Sequence, residues 1–309
     1  MGRYFIVFFL FLNLIAVDAQ ASVVSKTQAD GCFPDSQVRF PVVKSKNKRS
    51  LQKSNLQDKS LISLSKERFN FVMDQYEDFL KIYISRNFGK ELVLIRNWES
   101  DRVNAHATRD DDNNPIITID GGLARHPEIT EDGLAFIFCH EIGHQFGGAP
   151  KQMRGTSQKR SWSSAEGQAD YFAATKCLPK LFFNQEENHR VVTALPRNIL
   201  EQASLHCHND LCKRILAAGL ASGKVFASVK SSVMMPSLKV KDSVVVSSTI
   251  LGHPSPQCRV DTVAAGVKCQ IDPEINFDPQ DPSVGACFGQ EDGIGEGNRP
   301  ECWFNPSHF

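Results

Sequence analysis

The sequence has no excess of either charge, no internal repeat and, beyond its first residues, no long apolar run. Lysine plus arginine and aspartate plus glutamate each number 35 in 309 residues. The chain therefore has no global field that would draw it to nucleic acid or an anionic membrane. The missing repeat argues against a solenoid, and the missing apolar run leaves no transmembrane span once the N-terminus is set aside. What remains is a chain with 41% hydrophobic residues, long enough to bury a substantial core.

The one apolar run comes first. "MGRYFIVFFLFLNLIAVDAQA" has a basic start at Arg3 and small residues at Ala19 and Ala21, the pattern of a secretory signal peptide over residues 1–21. No cysteine stands near the cleavage point, so a lipoprotein is not expected. Residues 22–60 are polar, lysine-rich and aperiodic, and read as a flexible, exposed basic extension with little packed structure. Its segment "KSKNKRSLQKS" reads as a solvated linker.

The folded part reads as α+β. "SLSKERFNFVMDQYEDFLKIY" puts Phe69, Val72, Met73, Tyr76, Phe79, Leu80 and Tyr83 at helical spacing, an amphipathic helix. Three extended stretches follow, "ELVLIRNW", "RVNAHATR" and "PIITIDGG", which suggest a small antiparallel sheet. The acidic "DDDNN" between the last two lacks the spaced ligands and distal glutamate of a calcium loop and reads as a turn. Thr130 can cap a helix that ends at Gly147 and Gly148. A polar loop then leads to a second helix from Ser163 to Pro179. Further helix is expected around "NILEQASLHCHNDLCKRILAAGL", then a Val/Ser-rich extended run past Lys241. The catalytic domain would span residues 61–265, and a Cys/Gly/Pro-rich tail, residues 266–309, would pack on it.

The first of those two helices carries "FCHEIGHQFGGAP". Residues i and i+4 share a helix face, so His140 and His144 can present ring nitrogens to one cation. Zinc takes two imidazoles and a carboxylate and keeps a fourth position open. Glu141, beside that face, can act as a general base. A three-position pattern arises by chance, on the order of once in a hundred chains of this size, so a third ligand has to decide. Gly147 hints at H-E-x-x-H-x-x-G-x-x-H, but position 150 is Pro150, which cannot bind zinc. In "SSAEGQADYFAA", Glu166 and Asp170 are again i and i+4. Glu166 can complete a His2Glu set, one Zn2+ per chain, with Asp170 placed to hydrogen-bond the far nitrogen of a ligating histidine. The bland alternative makes Glu166 part of a capping box with Ser163.

"VNAHATRDDDNNPIITIDGGLARHPEITEDGLAFIFCHEIGHQFGG", "EGQAD" and "GHPSPQCR", in this order over roughly residues 102–262, resemble the gluzincin family that includes HtpX and the CAAX prenyl endopeptidases. The resemblance implies a zincin-like core, zinc on His140, His144 and Glu166, and Glu141 as general base. It implies further that Asn104, in an edge strand, and Arg259 bind substrate, and that His253 donates to the developing oxyanion. The expected activity is that of a soluble, exported zinc endopeptidase acting on polypeptide, periplasmic or secreted. Its substrate would add along the strand near Ile116 to Ile119. A zinc-containing chaperone or envelope-assembly factor is the alternative. The membrane spans of integral members are absent, and the cysteine-rich tail departs from the common pattern.

Outside the cytosol, cysteines that can meet are oxidised. Setting Cys139 aside as a buried thiol leaves eight of the nine. Short loops favour pairing Cys207 with Cys212, Cys258 with Cys269 and Cys287 with Cys302. His106 shares a strand face with Asn104. "LHCHNDLC" could hold a metal, but a disulfide there is the simpler expectation.

Overall fold

The computed structural model describes residues 31–33, 38–42, 63–154, 159–230, 234–289 and 295–308. The expected signal peptide, most of the basic extension and part of the tail lie outside these. Among the described residues no helix is long and apolar enough to cross a membrane.

Helix α1, Lys66–Phe88, starts at Ser65, whose hydroxyl accepts the Arg68 N–H, and ends at Gly89 with φ 61°. That left-handed turn is one glycine adopts without strain. Its buried face is Phe69, Val72, Met73, Leu80 and Ile84. Phe79, expected inward, is exposed.

Strands β1 (Val93–Asn97), β2 (Ala105–Arg109) and β3 (Pro115–Asp120) form one sheet in the order β1-β3-β2. The sheet is mixed rather than antiparallel: β2 runs antiparallel to β3, but β1 pairs with β3 in parallel. The Asp110 carboxylate accepts the N–H groups of Asp112 and Asn114 and closes the β2–β3 turn. Every residue of β3 is buried, so Ile116 to Ile119 lie in the central strand and cannot be the edge to which a peptide adds. A strand between two others and covered on both faces is buried along its whole length; β1 and β2 are the edges.

Helix α2, Gly121–Ala124, leads to α3, Glu131–Phe146. Thr130 accepts the Gly133 N–H, and Glu131 and Asp132 favour the positive end of the helix dipole. From Gly133 to Gln145 every residue of α3 is buried, so this helix is the spine of the core. The expected polar loop is instead a hairpin, β4 (Lys151–Arg154) and β5 (Lys159–Ser164). Helix α4, Glu166–Phe172, widens into a π turn over Ala173–Cys177 before α5, Leu178–Leu181. Then come α6 (Gln185–Thr193), α7 (Arg197–Ser204), α8 (Asp210–Val229) and α9 (Pro256–Gly266).

Helix α9 replaces the end of the expected extended run. Ser255 caps it by accepting the Cys258 N–H, and Pro256 occupies its first turn, where a missing N–H costs nothing. The preceding Val/Ser-rich stretch forms no strand; Val246 and Ile250 donate instead to the carbonyls of Glu301 and Trp303. The tail is further tied to α4: the Tyr171 hydroxyl donates to the Gly297 carbonyl, and Arg299 Nε to Gln168.

Cys207 bonds Cys212. The other expected pairs are corrected: Cys258 bonds Cys302, and Cys269 bonds Cys287. Cys139 is not free but bonds Cys177, tying α3 to the π turn. Cys32 is the free cysteine. Loop length alone misled here, because which sulfurs meet is set by helix packing and not by sequence separation. The exposed extension is corrected too. Cys32 and Phe33 are fully buried, and Arg39 and Phe40 lie antiparallel against residues 101–102.

Candidate metal centre

Helices α3 and α4 cross where Gly143 faces Ala169. A Cβ on Gly143 would come within 2.8 Å of the Ala169 backbone, so the glycine inside HEIGH sets how closely the two helices approach. That approach brings the two sequence motifs together. His140 Nε2 lies 3.2 Å from one Glu166 oxygen and His144 Nε2 lies 3.5 Å from the other. The three ligand atoms all fall within 4.8 Å of one another.

The far side of each ring is held. His140 Nδ1 is 2.8 Å from Asp170 Oδ1, and His144 Nδ1 is 2.9 Å from the Ser164 carbonyl. With the Nδ1 protons donated there, both Nε2 lone pairs point at Glu166. Those Nε2 atoms, one Glu166 oxygen and both Glu141 oxygens are buried and without hydrogen-bond partners. A buried polar atom left bare costs free energy comparable to a lost hydrogen bond or more. A divalent cation is what two imidazole lone pairs and a carboxylate would share. The residues fit zinc, and the same donor set would take other first-row metals.

Electrostatics agree. Burial works against charge on Glu166, yet His144, His253 and His140 hold its carboxyl down at about 2. Burial also opposes charge on Asp170, but Arg259 and His140 keep it ionised. Burial, with the charges of Glu166 and Asp170 adding to it, pushes Glu141 up to about 8, and burial, helped by His140 and Arg259, pushes His144 down to about 4. The centre thus sets two ionised carboxylates, Glu166 and Asp170, beside a Glu141 carboxyl that exchanges its proton near neutral pH.

Arg259 does more than was expected of it. Its Nε and Nη2 donate to the two oxygens of Asp170 at 2.7 and 2.8 Å, and its Nη1 donates to the Cys32 carbonyl at 2.8 Å. His253 Nε2 lies 3.7 Å from Glu166 and donates to the Gly31 carbonyl at 2.8 Å. Asn104, just ahead of β2, accepts from the Phe33 N–H and donates to the Phe33 carbonyl. The structure brings His140, Glu141, His144, Glu166, Asp170, His253 and Arg259 together, while Asn104 reaches only the neighbouring residues 31–33. The capping-box alternative does not form, since Ala165 caps α4 without a side chain.

Sequence reasoning missed Ser164, Gln152 and Cys32. Gln152 Nε2 reaches Glu166 at 3.4 Å, and both it and Ser164 sit on the hairpin that was taken for a loop. Its period-2 signal is masked by charged residues in "KQMR" and "KRSWSS". His106 is partly buried with a bare Nδ1; it does not join the centre. Asp242, Cys258 and Cys302 also cluster, but their sulfurs are spent in a disulfide.

No family model, no curated protein and no solved structure matches this chain. The functional reading consequently stands on the geometry and on the motifs themselves.

Proposed function

We propose that the protein is a zinc-dependent endopeptidase of gluzincin type, with a zincin-like core, acting on polypeptides in the periplasm or outside the cell. The observation that carries the proposal is the convergence of His140, His144 and Glu166, oriented from behind and bare in front. Zinc held there supplies Lewis acidity for a carbonyl oxygen and lowers the pKa of water. Glu141 takes the proton from the attacking water and returns it to the leaving amine. His253, whose Nε2 already donates to a main-chain carbonyl, donates to the scissile carbonyl oxygen as charge builds on it. Asn104 offers one acceptor and one donor to peptide backbone, so it fixes the main chain of a substrate without reading its side chains. Arg259 locks Asp170 and so holds the His140 ring in place. Four disulfides fit an oxidising compartment.

The test is zinc content and casein cleavage measured together on wild type and Glu166→Ala. Loss of both in the variant supports the reading, and an unchanged zinc content sinks it. The same main-chain grip would serve a chaperone that holds polypeptide without cutting. Rescue of a deletion phenotype by Glu141→Gln would favour that reading instead.

A further inference from the structure

We infer that Cys32 is the fourth ligand of the metal centre and that the segment Gly31-Cys32-Phe33 occupies the substrate cleft in place of a peptide, so that the folded chain is latent. The inference rests on the metal-centre reading above.

Three independent observations support it. First, Cys32 Sγ lies with His140 and Glu141 in a second group whose ligand atoms all fall within 4.8 Å of one another. Its neighbours there are the His140 ring and the buried, partnerless Glu141 carboxylate. A cysteine buried merely for packing would sit among apolar side chains; this one is surrounded by an imidazole, a carboxyl group and a guanidinium, with Arg259 Nη2 at 3.7 Å from the sulfur. Second, the other eight of nine cysteines are paired. A lone thiol kept beside His140, the histidine shared with the His140, His144 and Glu166 group, is chemically a soft metal ligand; on ligation it releases its proton.

Third, the backbone of the segment is docked as a peptide would be. The Cys32 N–H donates to the Ala105 carbonyl at 2.9 Å, extending the edge strand β2. Asn104 brackets the Phe33 N–H and carbonyl, Arg259 holds the Cys32 carbonyl, and His253 holds the Gly31 carbonyl. These are the three residues that the gluzincin resemblance assigns to substrate and oxyanion. Phe33 packs near Phe226, whose ring also stacks on His253, so an apolar side chain is seated one residue after the metal-facing one. A Cβ on Gly31 would meet the Asn104 amide at 2.4 Å. The fit at that position is therefore one that glycine alone makes. With this segment in place, the polar groups that the resemblance assigns to substrate are already taken by the chain itself. Activity then requires that the segment leave, which places the enzyme's control in its own N-terminal chain.

Cobalt(II) reports ligand type directly, because a thiolate ligand adds a charge-transfer absorption that nitrogen and oxygen ligands lack. Wild-type full-length chain loaded with one equivalent of cobalt should show that band. Cys32→Ser should bind one equivalent without the band, and its zinc form should cleave casein at least about tenfold faster, since the fraction of open cleft rises. Stoichiometric cobalt with no thiolate band in wild type, together with an unchanged rate in Cys32→Ser, overturns the inference and leaves the peptidase reading standing. Failure of wild type to bind cobalt at all overturns the metal centre itself. The wild-type band needs no variant, so the inference stays testable even if Cys32→Ser folds poorly.

Discussion

Helix α3 carries a buried polar cluster at each end, and the two are built on opposite principles. Near its start, Asp132 receives Arg214 through both carboxylate oxygens, at 2.8 and 2.7 Å, while the third guanidinium nitrogen donates to Asn188 at 2.9 Å. The guanidinium also lies 3.8 Å over the Phe182 ring. Each charge there meets a partner, and the cluster staples α3 to α6 and α8. Near the other end, His140, Glu141, His144 and Glu166 are more deeply buried than Asp132 but leave their inward atoms bare. A fold that satisfies one cluster so fully has no packing reason to leave the second exposed to desolvation alone. The bare cluster is the one on which the proposed metal site rests, whereas the satisfied one is structural.

Three variants separate the two clusters and a fourth test reads a buried histidine outside both, beginning with the largest effect. Glu141→Gln should lower casein cleavage by about three orders of magnitude while leaving zinc content and melting temperature unchanged. Residual activity near wild type would remove Glu141 from the chemistry. Arg214→Ala should do the reverse, costing about 3 to 5 kcal/mol of stability by stranding Asp132, with the zinc stoichiometry of the folded fraction unaltered. Urea unfolding beside a metal assay reads both quantities; a lost metal with intact stability would break the comparison.

Asp170→Asn should weaken zinc binding about ten- to a hundredfold, read by competition with a chelator, because the His140 ring and Arg259 lose their shared anchor. Equal affinity in the two proteins would reduce Asp170 to packing. The smallest effect belongs to a third buried imidazole, His126. Its Nδ1 accepts from Glu128 and its Nε2 donates to Ser228, and burial pulls its pKa down to about 4. The unfolded chain binds that proton near pH 6.5, so the folded state holds fewer protons between the two values. Stability is complete above about 6.5 and falls as pH drops toward 4. The slope should vanish in His126→Gln.

Much of this was legible in the chain. Thr130 and Gly147 bound the helix that carries HEIGH, and the i, i+4 spacing of Glu166 and Asp170 marked the partner helix; both signals are local and follow from helical period. The third ligand could be placed because Pro150 excluded the alternative by its chemistry. By contrast, the hairpin that brings Ser164 to His144 hides among charged residues, β3 turned out central because its burial depends on neighbours distant in sequence, and the disulfides follow helix contacts rather than loop length. Cys32 was invisible as a site residue. It stands 108 positions before His140, in a stretch with no periodicity to betray that it packs.

The sequence by itself determined the helix caps and which residues are candidates for ligands and base, since side-chain chemistry and the 3.6-residue period need no tertiary information. Only the tertiary structure decided which atoms face one another: that Gly143 lets α4 approach, that Arg259 grips Asp170 from behind, and that Gly31, Cys32 and Phe33 lie in the cleft. Convergence of that kind depends on contacts between distant segments, which hydrophobic burial selects and no local pattern encodes.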